Sequence, residues 1–133
     1  MKKLISFIFI ALLMQCTTIV FGQYLYNNAG NNVGRIDANY VYDNTGNLLG
    51  RFDVNYIYDK IGNVLGRIDG NYIYDGTGNI KGRTEGIYIY DSTGSTLGRV
   101  DGNYVYDKTG SLLGRFENVK TQQAILFFFF FFY

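Results

Sequence analysis

Five tyrosines, Tyr42, Tyr58, Tyr74, Tyr90 and Tyr106, recur every 16 residues, each two positions after another tyrosine. Aromatic faces at equal intervals suit stacking on sugars, and their repetition adds avidity. These five are therefore candidate ligand-binding residues, with a glycan or another surface protein as partner. The competing reading, preferred from sequence, is a stacked aromatic core whose hydroxyls reach water or backbone. Arginine keeps the same period at Arg35, Arg51, Arg67, Arg83, Arg99 and Arg115, each with an acid two residues on. Residues i and i+2 share a strand face, so a ring of alternating charges between neighbouring hairpins is expected. Capture of an anionic ligand by the arginines is the lesser alternative.

Asp43, Asp59, Asp75, Asp91 and Asp107 each open a stretch of the type Asp-Asn-Thr-Gly-Asn. One carboxylate per loop is poor provision for calcium, which takes roughly six to eight oxygens. An aspartate that bonds backbone two residues on, followed by a glycine with positive φ, explains the same residues as a tight turn. The chain has no histidine, and Cys16 is its only cysteine. Regular copies offer no unique acid pair in a distinct setting, so no catalytic residue, metal site or cofactor is assigned. The fourth copy diverges most, at Lys81, Thr84, Glu85 and Ile87, and reads as drift.

The elements that carry these residues follow from the repeat itself. Units begin at Tyr24, Tyr40, Tyr56, Tyr72, Tyr88 and Tyr104 with no insertion, and a tail runs from Lys120 to Tyr133. Tyr-(Val/Ile/Leu)-Tyr is strand composition, a turn follows, and Leu-Leu-Gly-Arg-Phe makes a second strand. One unit is thus one hairpin, with no room for a helix. Tyr40 and Tyr42 share one face and Val41 the other, so this strand is expected to be covered on both sides. Leu48, Gly50 and Phe52 are expected on one face of the second strand, with Leu49, Arg51 and Asp53 opposite. A glycine at this place in all six units points to close backbone approach or a sharp bend.

An open meander would expose two edges, so the copies are expected to close into a ring about a pseudo-rotational axis, propeller-like and all-β. Strands this short do not span a membrane as a barrel, which takes roughly nine to eleven residues each.

Residues 1–22 read as a signal peptide: Lys2 and Lys3, an apolar run from Leu4, then Val20 and Gly22 at a cleavage site before Gln23. The mature domain is then 23–133, secreted, periplasmic or at the cell surface, with no transmembrane segment after cleavage. Acylation of Cys16 is the alternative, disfavoured by Gln15 where a small residue is wanted. Removing Lys2 and Lys3 from twelve basic residues leaves ten against eleven acids. That balance argues against nucleic acid.

The leader, the hairpins of pattern Tyr-Asp-turn-Gly-x-x-x-Gly-Arg-(Ile/Val/Phe)-(Asp/Glu) and the phenylalanine-rich end resemble the small secreted bacterial β-flower proteins of the 5-fold type. The resemblance implies hairpin petals about an axis and no assigned activity. Six units stand here against five in that name, and the poorer first unit, with Asn27 and Ala29, is read either as a petal or as completing the last one. Tyr40 to Asn47 is also similar to the longer YD repeats of Rhs and teneurin-like shells, and the aromatic hairpins to choline- or glucan-binding repeats, which use tryptophan where this chain has none.

The tail ends in six phenylalanines, residues 127–132, and Tyr133. Exposed, such a run is an aggregation hazard or a self-association surface. It is expected instead as a buried strand packed on or in the ring.

Overall fold

The computed structural model describes residues 22–133. The expected leader, Gly22 aside, lies outside the described residues, as does Cys16. Six hairpins follow one another: β1 (Tyr24–Asn27) with β2 (Asn32–Asp37), β3 (Tyr40–Tyr42) with β4 (Leu48–Asp53), and β5 (Tyr56–Asp59) with β6 (Val64–Asp69). They continue as β7 (Tyr72–Asp75) with β8 (Ile80–Glu85), β9 (Tyr88–Asp91) with β10 (Thr96–Asp101), and β11 (Tyr104–Asp107) with β12 (Leu112–Glu117). Every strand pairs with its sequence neighbours, and β1 also pairs with β12, closing an antiparallel barrel. The first unit is therefore a petal in its own right, and the ring has six petals, not five. Closure removes both sheet edges, which is the physical reason a repeat this short can stand alone.

Each petal turns on an aspartate, or in the first petal on Asn27, whose Oδ1 accepts the N–H groups of Ala29 and Asn31. Asp43 Oδ1 accepts the backbone N–H groups of Thr45 and Asn47 and the Thr45 hydroxyl, at 2.7–2.9 Å. Gly46 sits at φ 88°, the left-handed region that a residue with a Cβ enters at a cost. These turns ring one end of the barrel, the turn end. The links between petals ring the other, together with the start of the domain and the exit into the tail.

Two rings of apolar side chains face inward. Leu25, Val41, Ile57, Ile73, Ile89 and Val105 form the first, all fully buried. Ile36, Phe52, Ile68, Val100 and Phe116 form the second, with the half-buried Thr84 in the fourth petal. The tyrosines point the other way. The expectation that Tyr-Val-Tyr is covered on both faces is corrected: the central residue fills the core, and both tyrosines lie on the outer wall. The faces of the second strand are also corrected near its start. Tyr42 pairs with Leu48 and Val41 with Gly50, so Leu49 is the extra residue of a β-bulge. The bulge turns Leu49, rather than Leu48, toward the core.

A barrel of about eight strands is filled by its own side chains, and one of twelve leaves a lumen. The tail fills it. After Glu117 the chain forms a short helix, α1 (Thr121–Ile125), across the link end, and then a π-helical turn, Leu126–Phe131, inside the barrel. The expected phenylalanine strand is thus a wide coil. The Phe127 carbonyl accepts from the N–H of Phe132, five residues on, and of Tyr133, six on. A turn this wide sends six consecutive side chains to six different petals. Phe127 meets Gly34, Phe128 Gly114, Phe129 Gly98, Phe130 Gly82, Phe131 Gly66 and Phe132 Gly50, each ring 2.6–3.0 Å from where a Cβ would stand. The recurring glycine is the seat of one phenylalanine per petal. Self-association through the tail would have to draw on the half-buried Phe129–Phe132 and exposed Tyr133, since Leu126, Phe127 and Phe128 are buried in this barrel.

Candidate functional site

The outer wall is built from the side chains that the inward rings leave over. Arg51 on β4 pairs directly with Tyr58 on β5 of the next petal. Their side chains lie on the same outer face, and the guanidinium carbon stands 4.0 Å from the ring centroid. The same station recurs as Arg35 on Tyr42, Arg67 on Tyr74, Arg83 on Tyr90 and Arg99 on Tyr106, at 4.0–4.3 Å. Arg115 on Tyr26, at 4.0 Å, places a sixth at the closing seam between β12 and β1. Each contact crosses from one petal to the next and contributes about 0.5–1 kcal/mol at an exposed site. The candidate residues Tyr42, Tyr58, Tyr74, Tyr90 and Tyr106 are thus half-buried on the wall, each with one ring face taken by an arginine.

The charges pair differently from the expectation of rings between hairpins. Arg35, Arg51, Arg67, Arg83 and Arg115 meet the acid two residues on along their own strand, at 2.6–3.8 Å. Such exposed pairs are worth about 0–1 kcal/mol. What joins neighbouring petals is the guanidinium-on-ring contact. At the seam, burial, then the Glu117 carboxylate, raises the Tyr26 phenol above its ordinary value, and the Tyr26 hydroxyl donates to Glu117 Oε2 at 3.4 Å.

The more accessible tyrosines of the wall are the first of each pair in the second to sixth petals, Tyr24 of the first petal being half-buried. Tyr40, Tyr56, Tyr72, Tyr88 and Tyr104 are 44–48% exposed. Sequence reasoning passed them over because a repeat weights both tyrosines alike. The signal was the register: in each hairpin the arginine is carried onto the second tyrosine of the following petal, leaving the first more open. Together the two sets make a girdle of tyrosine and arginine around the barrel.

The turn aspartates are occupied by their own loops. Asp75, Asp91 and Asp107 repeat the bonds of Asp43, each accepting a threonine hydroxyl at 2.6–2.7 Å. In these four carboxyls the threonine hydroxyl bond is the largest cause of a lowered pKa, with backbone N–H bonds beside it. Asp59 differs because Ile61 stands where threonine would. There burial, which raises the pKa, is the largest single influence. The N–H groups of Asn63 and Ile61 lead the bonds that outweigh it, and the carboxyl is still lowered. No group of three or more potential metal ligands occurs among the described residues. The fourth petal's Lys81 takes the bulge position and faces the Phe131 ring, its ammonium 5.4 Å from the centroid.

A family described as 5-fold beta-flower protein matches residues 22–132 of this chain, and the chain belongs to that family. No curated protein and no solved structure matches it.

Proposed function

We propose that this six-petalled member of the 5-fold beta-flower family is an exported, non-enzymatic module with a structural or binding role at the periplasm or cell surface. The observation that carries this reading is the sameness of the outer wall. The arginine-on-tyrosine contact recurs on every petal at nearly one distance. Six like stations suit attachment to something that itself repeats, because each weak contact raises the effective concentration for the next. A reaction on one substrate would gain nothing from such symmetry.

Carbohydrate is the second reading, favoured by the open faces of Tyr40, Tyr56, Tyr72, Tyr88 and Tyr104. Tyrosine offers a flat apolar body with a polar edge, which fits the mixed surface of a sugar ring. No helix among the described residues is long and apolar enough to cross a membrane.

Fractionation of cells producing the full chain, with N-terminal sequencing, tests the export step. A mature chain beginning at Gln23 in the envelope or medium is expected, and an intact chain in the cytoplasm overturns it. Retention on isolated cell envelopes tests the binding step. Replacing Tyr56, Tyr72 and Tyr88 together by alanine should abolish retention without changing the fold, and undiminished retention rejects the girdle as the contact.

A further inference from the structure

We propose that a cavity at the link end, between α1 and the link joining the second and third petals, binds one residue of a neutral sugar. The cavity measures about 320 Å³, at the lower end of the range for small-molecule sites, roughly 300–1,000 Å³. It exists because the tail breaks the symmetry of the petals. A five-residue helix spans only part of the mouth that six links surround, and the hollow it leaves lies beside Val54 and Asn55.

The lining has two parts. The floor is apolar: Phe52, Ile57 and Ile68 from the barrel and Leu126 from the tail. The rim is hydrogen-bonding: Asn39 and Asn55 from the links and Asp53 from the end of β4 face Lys120, Gln122 and Gln123 from the tail. Amides supply donors and acceptors side by side, which is what hydroxyls need and what a simple anion or cation does not. The two rim charges oppose each other, and Asp53 is already held by Arg51 at 3.2 Å. Gln123 Nε2 donates to Asn39 Oδ1 at 3.2 Å, which ties the helix to a link and fixes one wall. Tyr56 adds an aromatic edge. An apolar floor under an amide rim matches a pyranose, whose ring carbons present C–H groups on one face and hydroxyls around the edge.

Val54 has φ 51°, left-handed backbone that a β-branched residue adopts only under constraint. The same place in the repeat is left-handed throughout, at Ala38 (φ 48°), at Gly70, Gly86 and Gly102 (φ 58–59°) and at Asn118 (φ 55°). The left-handed position thus belongs to the link turn itself, and here it sets the exposed Val54 at the edge of the cavity.

The site lies apart from most of the girdle, and the test separates the two. The mature chain, labelled for NMR, is titrated with the methyl glycosides of glucose, galactose, mannose and N-acetylglucosamine to about 10 mM, which nearly fills a site with Kd about 1 mM. At least one glycoside should shift the amide signals of Asn55, Gln122 and Gln123. Gln122→Ala and Asn55→Ala should each weaken that binding roughly tenfold, while Tyr88→Ala, on a distant petal, leaves it unchanged. Silence from all four glycosides overturns the proposal. So does binding that survives both amide substitutions, or binding that is lost only with Tyr88→Ala.

Discussion

Gly66→Ala is the substitution that tests the barrel most directly. A Cβ built at Gly66 stands 2.2 Å from the Tyr74 carbonyl oxygen and 2.6 Å from Phe131 Cζ. The ring can shift, but the carbonyl belongs to β7, the first strand of the next petal, and moves only if the two petals part. At Gly34 the same test gives 3.0 Å to Tyr42 O and 3.0 Å to Phe127, a gap closed by a few tenths of an ångström. Overpacking costs about 1–3 kcal/mol and more where backbone must move. Alanine returns about 0.5–1 kcal/mol by restricting the unfolded chain. Gly34→Ala should therefore be nearly neutral, and Gly66→Ala should cost about 3 kcal/mol, a fall in Tm of roughly 10–15 °C. Urea and thermal melts followed by far-ultraviolet circular dichroism measure both. Adding Phe131→Ala to Gly66→Ala removes the ring contact but not the carbonyl, so stability should fall further, not recover. Equal effects at Gly34 and Gly66, or rescue by Phe131→Ala, would show that the strand-to-strand approach is not what the glycine serves.

Val54→Gly should stabilise the domain by about 0.5–1 kcal/mol, because relief of the left-handed strain exceeds the entropy that glycine adds to the unfolded chain; an unchanged or lower urea midpoint contradicts this. Deleting residues 125–133 removes the buried Leu126, Phe127 and Phe128, worth about 5–9 kcal/mol at roughly 1.5–3 each, against a total stability of about 5–15 kcal/mol. The truncated chain should be unfolded, and an unaltered melt rejects the plug. The lowered turn carboxyls predict acid sensitivity of one sign. Their stabilisation is complete above the ordinary carboxylate range and is lost as pH falls through their lower folded values. Asp59, without a threonine hydroxyl, should be the first of the five to protonate in a carboxyl-carbon NMR titration, and Ile61→Thr should bring it into line; a common midpoint before substitution refutes the role given to the hydroxyl.

Most of the barrel was legible because its signals are local and repeated six times. The turn needs Asp and Gly at fixed offsets, and the inward strand positions need apolar side chains. Closure followed from the edges that an open sheet would leave. The direction of the tyrosines was not legible from one strand, since Tyr-Val-Tyr is apolar on both faces and alternation carries no sign. The missing information lay across the petal boundary: Arg51 faces Tyr58, and a guanidinium beside solvent fixes which side is outside. The bulge at Leu49 was hidden for a similar reason, because both leucines satisfy an apolar position and only pairing shows which one is extra.

The phenylalanine run was the least legible segment, and its shape follows from a count. A homopolymer has no period, so nothing in 127–132 favours strand over helix. Six glycines at one level of a lumen supply the missing constraint. An α-helix advances about 100° per residue, so consecutive side chains would skip petals and crowd some seats while leaving others empty. Six seats visited in order need about 60° per residue, and the Phe127 carbonyl accepting from both Phe132 and Tyr133 is the hydrogen bonding of a turn that wide. The helical cost of opening the coil is met by ring contacts such as Phe127 on Phe128, 5.3 Å between centroids at 80°. The number of phenylalanines is thus tied to the number of hairpins. Removing one complete 16-residue petal, Tyr72 to Ile87, should leave one phenylalanine without a seat, and deleting one phenylalanine along with the petal should recover stability. A five-petal chain that melts higher with six phenylalanines than with five would break the correspondence.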